Sequence, residues 1–283
     1  MSDQSSGWRL AAIQMNAGPD LEANLEQAAE LLRSAADQGA QFAALPENFA
    51  FMGRHERDKL AHQECDPTDG ALGPIQQFLS VCAAELKLWL LGGSVPMVSA
   101  DSDRILAAAL LFGPDGKRVA RYDKIHLFDV ETERDGRVER YAESASIHPG
   151  EIKPVVADSA LGGIGLSICY DLRFPELYRS LVGQGAELLT VPAAFTRQTG
   201  EAHWEALIRA RAIENQCVVV APNQCGTHPG DRQTWGHSLI VDAWGRVLAQ
   251  GDEQPGVVIA DWDRAQQRAL RERFPVLAHR RLD

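Results

Sequence analysis

Cys169 is the residue whose setting most favours covalent chemistry. It ends the apolar run Gly163-Ile164-Gly165-Leu166-Ser167-Ile168, precedes the turn Tyr170-Asp171-Leu172-Arg173-Phe174, and is followed by Pro175, which opens a helical pattern through Val182. The run is too short for a helix and suits a buried strand. Proline is tolerated in a first helical turn, where its missing N–H has no partner to lose. Cys169 is therefore expected at the C-terminal end of a strand, pointing toward a helix N-terminus. Partial positive charge and free N–H donors there favour a thiolate and a developing oxyanion. This is the logic of the hydrolase elbow, with a thiol in place of a hydroxyl. The alternative is a cysteine that merely packs as a small hydrophobe. The other cysteines lack this setting: Cys82 falls in a helical pattern, Cys65 in a polar loop, and Cys217 and Cys225 flank an apolar strand. No Cys-x-x-Cys pair or Cys/His ligand spacing calls for zinc.

A thiol hydrolase needs a base for the thiol proton, donors for an oxyanion and an acid for the leaving amine. None of the eight histidines has a signature tying it to Cys169. Two other residues occupy comparable positions. Glu47 follows Pro46 just past a strand, and Lys124 follows a hairpin strand just before Ile125-His126-Leu127-Phe128. Ligands in α/β sheets gather at such strand ends. Each residue alone also reads as a solvated charge, and the spacing does not by itself bring the three together.

The elements that must position them alternate. Trp8 to Met15 reads as a strand buried on both faces. Asp20 to Gln38 is an amphipathic helix with Asp20 as N-cap and Gly39 as its end. Strand Phe42 to Leu45, a polar loop to about Gly73, helix Pro74 to Leu86 and strand Trp89 to Val95 follow. Ile105 to Phe112 and Arg118 to Tyr122 form a hairpin over Gly113-Pro114-Asp115-Gly116. The charged stretch Asp129 to Glu151 reads as a long surface loop that covers a site. From Ile164 the order returns: strand, helix, strand Leu188 to Val191, helix Ala202 to Gln216, strand Cys217 to Ala221. After a long loop, a hairpin turns at Asp242-Ala243-Trp244-Gly245. Both halves thus read β-α-β-α-β plus a hairpin, which predicts an α/β protein of two sheets face to face with helices outside. Residues 1–7 are expected to be a disordered lead-in, 8–262 a single domain, and 263–283 a C-terminal helix and tail that reaches toward a neighbouring subunit.

At 283 residues, with 45% hydrophobic and 24% charged content, the chain can bury a sizeable core. A net charge of −11 argues against nucleic acid or an anionic membrane as the main partner. No stretch approaches the roughly 20 apolar residues of a membrane span. Five cysteines, an odd number, and a polar N-terminus point to a reducing compartment, the cytoplasm.

Three blocks resemble the nitrilase, or carbon–nitrogen hydrolase, superfamily: Leu45-Pro46-Glu47, Tyr122-Asp123-Lys124-Ile125-His126-Leu127-Phe128-Asp129, and Cys169-Tyr170-Asp171-Leu172-Arg173-Phe174-Pro175-Glu176. The likeness runs from Trp8 to about Asp261. It implies a four-layer α-β-β-α sandwich of two pseudo-repeated halves that forms a homodimer or higher homo-oligomer. It also implies a thiol amidohydrolase without metal or cofactor. Cys169 is then the nucleophile, Glu47 the base and acid, and Lys124 the oxyanion stabiliser, helped by the Tyr170 backbone N–H. A second glutamate is expected at Glu143, with Glu139 and Glu133 as neighbours that compete for the role. Within the superfamily the chain resembles the Nit branch and there the deaminated glutathione amidases. The stretches that carry this are Pro192-Ala193-Ala194-Phe195-Thr196, Thr199-Gly200-Glu201-Ala202-His203-Trp204-Glu205, Asn223-Gln224-Cys225-Gly226-Thr227-His228 and Trp235-Gly236-His237-Ser238. The implied substrate is a small amide bearing a carboxylate, held by Arg173, with Tyr170, His126, Phe195 and Thr196 lining the pocket. Gln224 and His228 are expected to shape its outer part. The alternatives are an ω-amidase acting on 2-oxoglutaramate, an N-carbamoyl amide hydrolase, a catalytically dead scaffold and a redox thiol protein.

Overall fold

A computed structural model describes residues 7–67, 71–134 and 137–282. Six of the seven lead-in residues, 1–6, lie outside the described residues, and Gly7 already opens the first strand. The first half runs β1 (Gly7–Gln14), α1 (Leu21–Asp37), β2 (Phe42–Ala44), α2 (Pro74–Leu86), β3 (Trp89–Val98), β4 (Ile105–Phe112) and β5 (Arg118–Asp123). Next come a protruding hairpin, β6 (Asp129–Arg134) and β7 (Arg137–Ala142), and the antiparallel pair β8 (Val156–Ser159) and β9 (Gly162–Gly165). The second half continues with α3 (Pro175–Gly183), β10 (Ala186–Thr190), α4 (Arg197–Asn215) and β11 (Val218–Ala221). A small hairpin, β12 (Cys225–Thr227) with β13 (Gln233–Trp235), precedes β14 (Leu239–Val241), β15 (Val247–Gln250), β16 (Gly256–Asp263) and α5 (Arg264–Arg273).

Among the described residues the two large sheets have the orders β16-β1-β2-β3-β4-β5 and β8-β9-β10-β11-β14-β15. In each, three consecutive strands run parallel through helical crossovers, and a hairpin and an outer strand add antiparallel edges. The pseudo-repeat read from the two hairpin turns is thus a repeat of sheet topology. Gly116 and Gly245 occupy the left-handed region at the matching turns.

The period-2 geometry of a strand explains the layers. Leu10, Ala12, Phe42, Ala44, Leu91, Ala109 and Leu111 point at the second sheet and form one core with Ile164, Leu188, Val218, Val220 and Ile240. Their sequence neighbours Ala11, Ile13, Ala43, Leu90, Ala108 and Leu110 point the other way, onto Ala28 and Leu32 of α1 and Ile75 and Leu79 of α2. Helices α3 and α4 cover the second sheet through Leu177, Leu181, Trp204 and Ile208.

Two expectations change, and the place of a third element is defined. The stretch 129–151 is not a loop throughout: Asp129–Arg134 and Arg137–Ala142 pair as a hairpin, with Asp129 opposite Ala142, and a single 3-10 turn follows at Glu143–Ala145. Charged strands of this kind pair through their backbones without an apolar face to betray them. Helix α4 starts five residues before Ala202 and takes Gly200 into its interior. A Cβ at Gly200 would lie 2.3 Å from that of Trp235, so close packing rather than helix termination explains this glycine. Helix α5 docks on its own chain. Gln267 donates to the Glu187 carbonyl at 2.8 Å and accepts from the Val218 N–H at 2.8 Å, and Arg264 and Arg268 both pair with the Glu187 carboxylate.

Gly93 connects this frame to chemistry. A Cβ there would lie 1.9 Å from the Pro46 carbonyl oxygen, one residue before Glu47. Gly93→Ala should therefore shift the end of β2, cost about 1–3 kcal/mol of stability and lower turnover. A urea midpoint equal to wild type would refute this close-approach constraint.

Candidate active site

Glu47 extends past β2 and is 4% exposed, and Lys124 follows β5 at 2%. Glu143 opens the 3-10 turn after β7. The Lys124 Nζ donates to Glu47 Oε1 at 2.8 Å and to Glu143 Oε1 and Oε2 at 2.7 and 2.9 Å. Glu47 Oε2 accepts from the Ala194 N–H at 2.9 Å, and the Gln224 side chain donates to the Glu47 carbonyl at 3.0 Å. Glu143 is held by the Phe128 N–H at 2.6 Å. The hairpin makes this possible: pairing Asp129 with Ala142 returns the chain so that Glu143 meets Phe128 and Lys124. Glu139, a competitor for this position, is exposed and accepts from the Tyr141 hydroxyl at 2.8 Å. The side chain of Glu133 lies outside the described residues.

Cys169 completes the group from the second sheet. It is half-buried, with φ at 45°, a left-handed conformation unusual for a side chain of this kind. Its N–H donates to the Pro192 carbonyl at 2.8 Å. The turn is anchored by Asp171, fully buried, whose Oδ2 accepts from the Tyr122 hydroxyl at 2.7 Å and the Ile168 N–H at 2.9 Å. Its Oδ1 meets His126 Nδ1 at 2.7 Å. Burial and then the Asp171 charge push the Tyr122 hydroxyl far up, keeping it a donor.

Electrostatics assign protonation states. Burial opposes charge on Glu47, but the Lys124 ammonium outweighs it and holds the carboxyl below its ordinary value. Burial also works against Lys124; Glu143 and Glu47 overcome it and raise the ammonium well above its ordinary value. Burial, reinforced by Glu47, pushes the Cys169 thiol well up, which favours the protonated thiol beside an ionised carboxylate. Glu143 is raised by burial despite Lys124.

These groups line a cleft of about 120 Å³. Tyr170, Arg173, Phe195 and Thr196, expected in its wall, are there. His126 is not in this lining: its ring stacks on Phe174 at 3.7 Å, 7° from parallel, and bonds Asp171, because a buried carboxylate must be satisfied. Arg173 pairs with neither Glu176 nor Asp171. Its guanidinium lies over Phe195 and Tyr170, 5.4 and 5.9 Å from the ring centroids, and 3.4 Å from His203 Nδ1. Gln224 and His228 are buried behind the wall, the latter bonded to the Ala17 carbonyl and Thr234 hydroxyl at 2.9 and 2.7 Å. Sequence reasoning missed Lys59, Glu56 and Arg232, which form a linked ion-pair group at the cleft wall. Only the i,i+3 spacing of Glu56 and Lys59 hinted at it.

Replacing Lys124 by Met leaves two buried carboxylates facing one another. The expected loss is about 3–5 kcal/mol at neutral pH. It should shrink as pH falls, because carboxylates whose folded-state pKa is raised take up protons and lose the repulsion. Denaturant titrations at two pH values check this, and a pH-independent difference would count against the buried-charge account.

The carbon–nitrogen hydrolase family profile matches residues 9–272. The chain is 44% identical over 272 residues to the deaminated glutathione amidase of Synechocystis sp., covering 95% of this chain and 97% of that protein. It superposes on Nit3 of Saccharomyces cerevisiae, a member of branch 10 of the nitrilase superfamily, with a TM-score of 0.86 at 30% identity, covering 98% and 97% of the two chains. An amidase of Nesterenkonia sp. AN1, solved as an E41Q mutant after Michael addition of acrylamide at its active-site cysteine, matches with a TM-score of 0.75 at 28% identity, covering 94% and 98%. The two-sheet architecture, the near-full-length match and these relatives make this chain a member of the carbon–nitrogen hydrolase family.

Proposed function

We propose that the protein hydrolyses a small carboxylate-bearing amide through a Cys169 thioester, and that the substrate is deaminated glutathione, cleaved to 2-oxoglutarate and cysteinylglycine. The observation that carries this reading is the buried Lys124 ammonium shared by Glu47 and Glu143 in the cleft that holds the Cys169 thiol. Glu47 takes the thiol proton as sulfur bonds to the amide carbon. The resulting oxyanion is stabilised by Lys124 and the Tyr170 N–H. The carbon–nitrogen bond then breaks, and protonated Glu47 returns the proton to the departing amine. The same carboxylate next takes a proton from water, which adds to the thioester. Collapse of that second tetrahedral species releases the acid, and the thiol is reprotonated. Glu143 holds Lys124 in place.

Arg173 supports the substrate class. It lines the cleft and has no carboxylate partner among the described residues, so it is free to bind the α-keto acid end bidentately. The name borne by the 44% identical Synechocystis protein supports the specific amide. The reading also makes the protein a cytoplasmic homo-oligomer. Unpaired cysteines support a reducing compartment. An exposed apolar face of Ile213, Trp244 and Phe274 supports self-association.

Steady-state hydrolysis of deaminated glutathione and 2-oxoglutaramate tests the assignment. Wild type should prefer the first, and Cys169→Ala should fold yet lose at least about 10³-fold in kcat, the scale for removing a nucleophile. Preference for 2-oxoglutaramate would replace the substrate with an ω-amide, and Cys169-independent turnover would end the thioester mechanism. Because Glu47 must be ionised and its pKa is lowered, the acidic limb of kcat/KM should lie below the ordinary carboxyl value of 4.5. An acidic limb near neutrality would remove Glu47 as the base.

A further inference from the structure

The catalytic cleft does not end at its mouth. A second chamber of about 530 Å³ adjoins it and shares Glu56, Arg140, Tyr141, Thr196 and Arg232 as common wall. Hydrolysis of an amide to ammonia needs no such space. A substrate whose nitrogen carries a dipeptide does, since two extended residues reach at most about 7 Å beyond the scissile bond.

The chamber's charges are unevenly committed. Arg197 pairs with Glu253 at 3.0 Å, Arg140 with Glu131 at 2.7 Å, and Arg232 with Glu56. Glu139 accepts from Tyr141, and Asp231 adds one further carboxylate. Arg54 lines the chamber from the segment after Glu47, is exposed, and has no ion-pair or hydrogen-bond partner among the described residues. At the common wall the buried Arg232 Nε is also without a hydrogen-bond partner. The open Arg54 guanidinium is the receptor that this chamber offers a carboxylate, distinct from Arg173, which lines the cleft and not the chamber.

We propose that this chamber is the leaving-group subsite and that Arg54 binds the terminal carboxylate of the departing dipeptide. The inference rests on the amidase reading above and makes Arg54 a specificity-determining residue. It places the α-keto acid end on Arg173 and the dipeptide end on Arg54, with the scissile amide between them.

The test measures kcat and KM of wild type, Arg54→Gln and Arg54→Lys on three probes: deaminated glutathione, its C-terminal carboxamide and 2-oxoglutaramate. In Arg54→Gln, KM for deaminated glutathione should rise about tenfold, the scale of one charge-assisted contact, with a smaller change in kcat. Arg54→Lys should restore part of it. Wild type should lose a similar factor on the carboxamide, and Arg54→Gln should lose little more on that probe. Equal effects of Arg54→Gln on the acid and the carboxamide would overturn the carboxylate contact even if the amidase reading stands. Wild type that turns over 2-oxoglutaramate but not deaminated glutathione would overturn both the substrate assignment and the subsite. Failure on all three probes would do the same.

Discussion

An ammonium taken out of water is tolerable only where carboxylates replace its hydration, and Lys124 is surrounded on those terms. Its Nζ meets Glu47 at 2.8 Å and Glu143 at 2.7 Å while the side chain is almost wholly buried. Desolvation costs several kcal/mol per ion, so the three groups must arrive together with their remaining lone pairs satisfied. The Ala194 and Phe128 N–H groups do this for the two carboxylates. Each of these partners comes from a different part of the chain. The charge cluster therefore requires the end of β2, the end of β5, the β6–β7 hairpin and the loop after β10 to be in register.

The two-sheet sandwich meets this requirement because its halves repeat. Parallel strands of both sheets deliver their carboxyl ends to the site, and Glu47 from one sheet receives the Ala194 N–H from the other. A second cross-link runs from Tyr122 at the end of β5 to Asp171 in the turn after Cys169. The left-handed backbone at Cys169 is held by this anchor and by the bond to the Pro192 carbonyl. Local backbone strain persists only where the surroundings over-determine it, and at Cys169 both sheets contribute. The pseudo-repeat is thus more than a resemblance between halves: it is the means by which a carboxylate and a thiol far apart in sequence face one another.

Electrostatic balance within the cleft follows from the same burial. Glu47 is held below its ordinary value because the Lys124 ammonium outweighs its burial, and the Cys169 thiol is pushed up by its own burial, reinforced by Glu47. The cleft therefore sets a neutral thiol and a fixed ammonium side by side, with the cation of Arg173 in the wall. Aromatic faces of Phe195 and Tyr170 support that guanidinium without neutralising it.

Much of this was legible in the sequence. The strand and helix order followed from apolar periodicity and from punctuation such as Asp20, Pro74 and Gly116, because local geometry and backbone sterics act within a few residues. Glu47, Lys124 and Cys169 stood out as polar groups at strand ends, and family resemblance linked them. Only the tertiary structure decided that Glu143, rather than Glu139, faces Lys124, since that depends on the register of a hairpin whose strands are charged on both faces. Only it decided that His126 serves Asp171 and that Arg173 escapes an ion pair. Those outcomes depend on which donors reach a buried carboxylate first, a competition between residues 45 to 49 positions apart that no local pattern records.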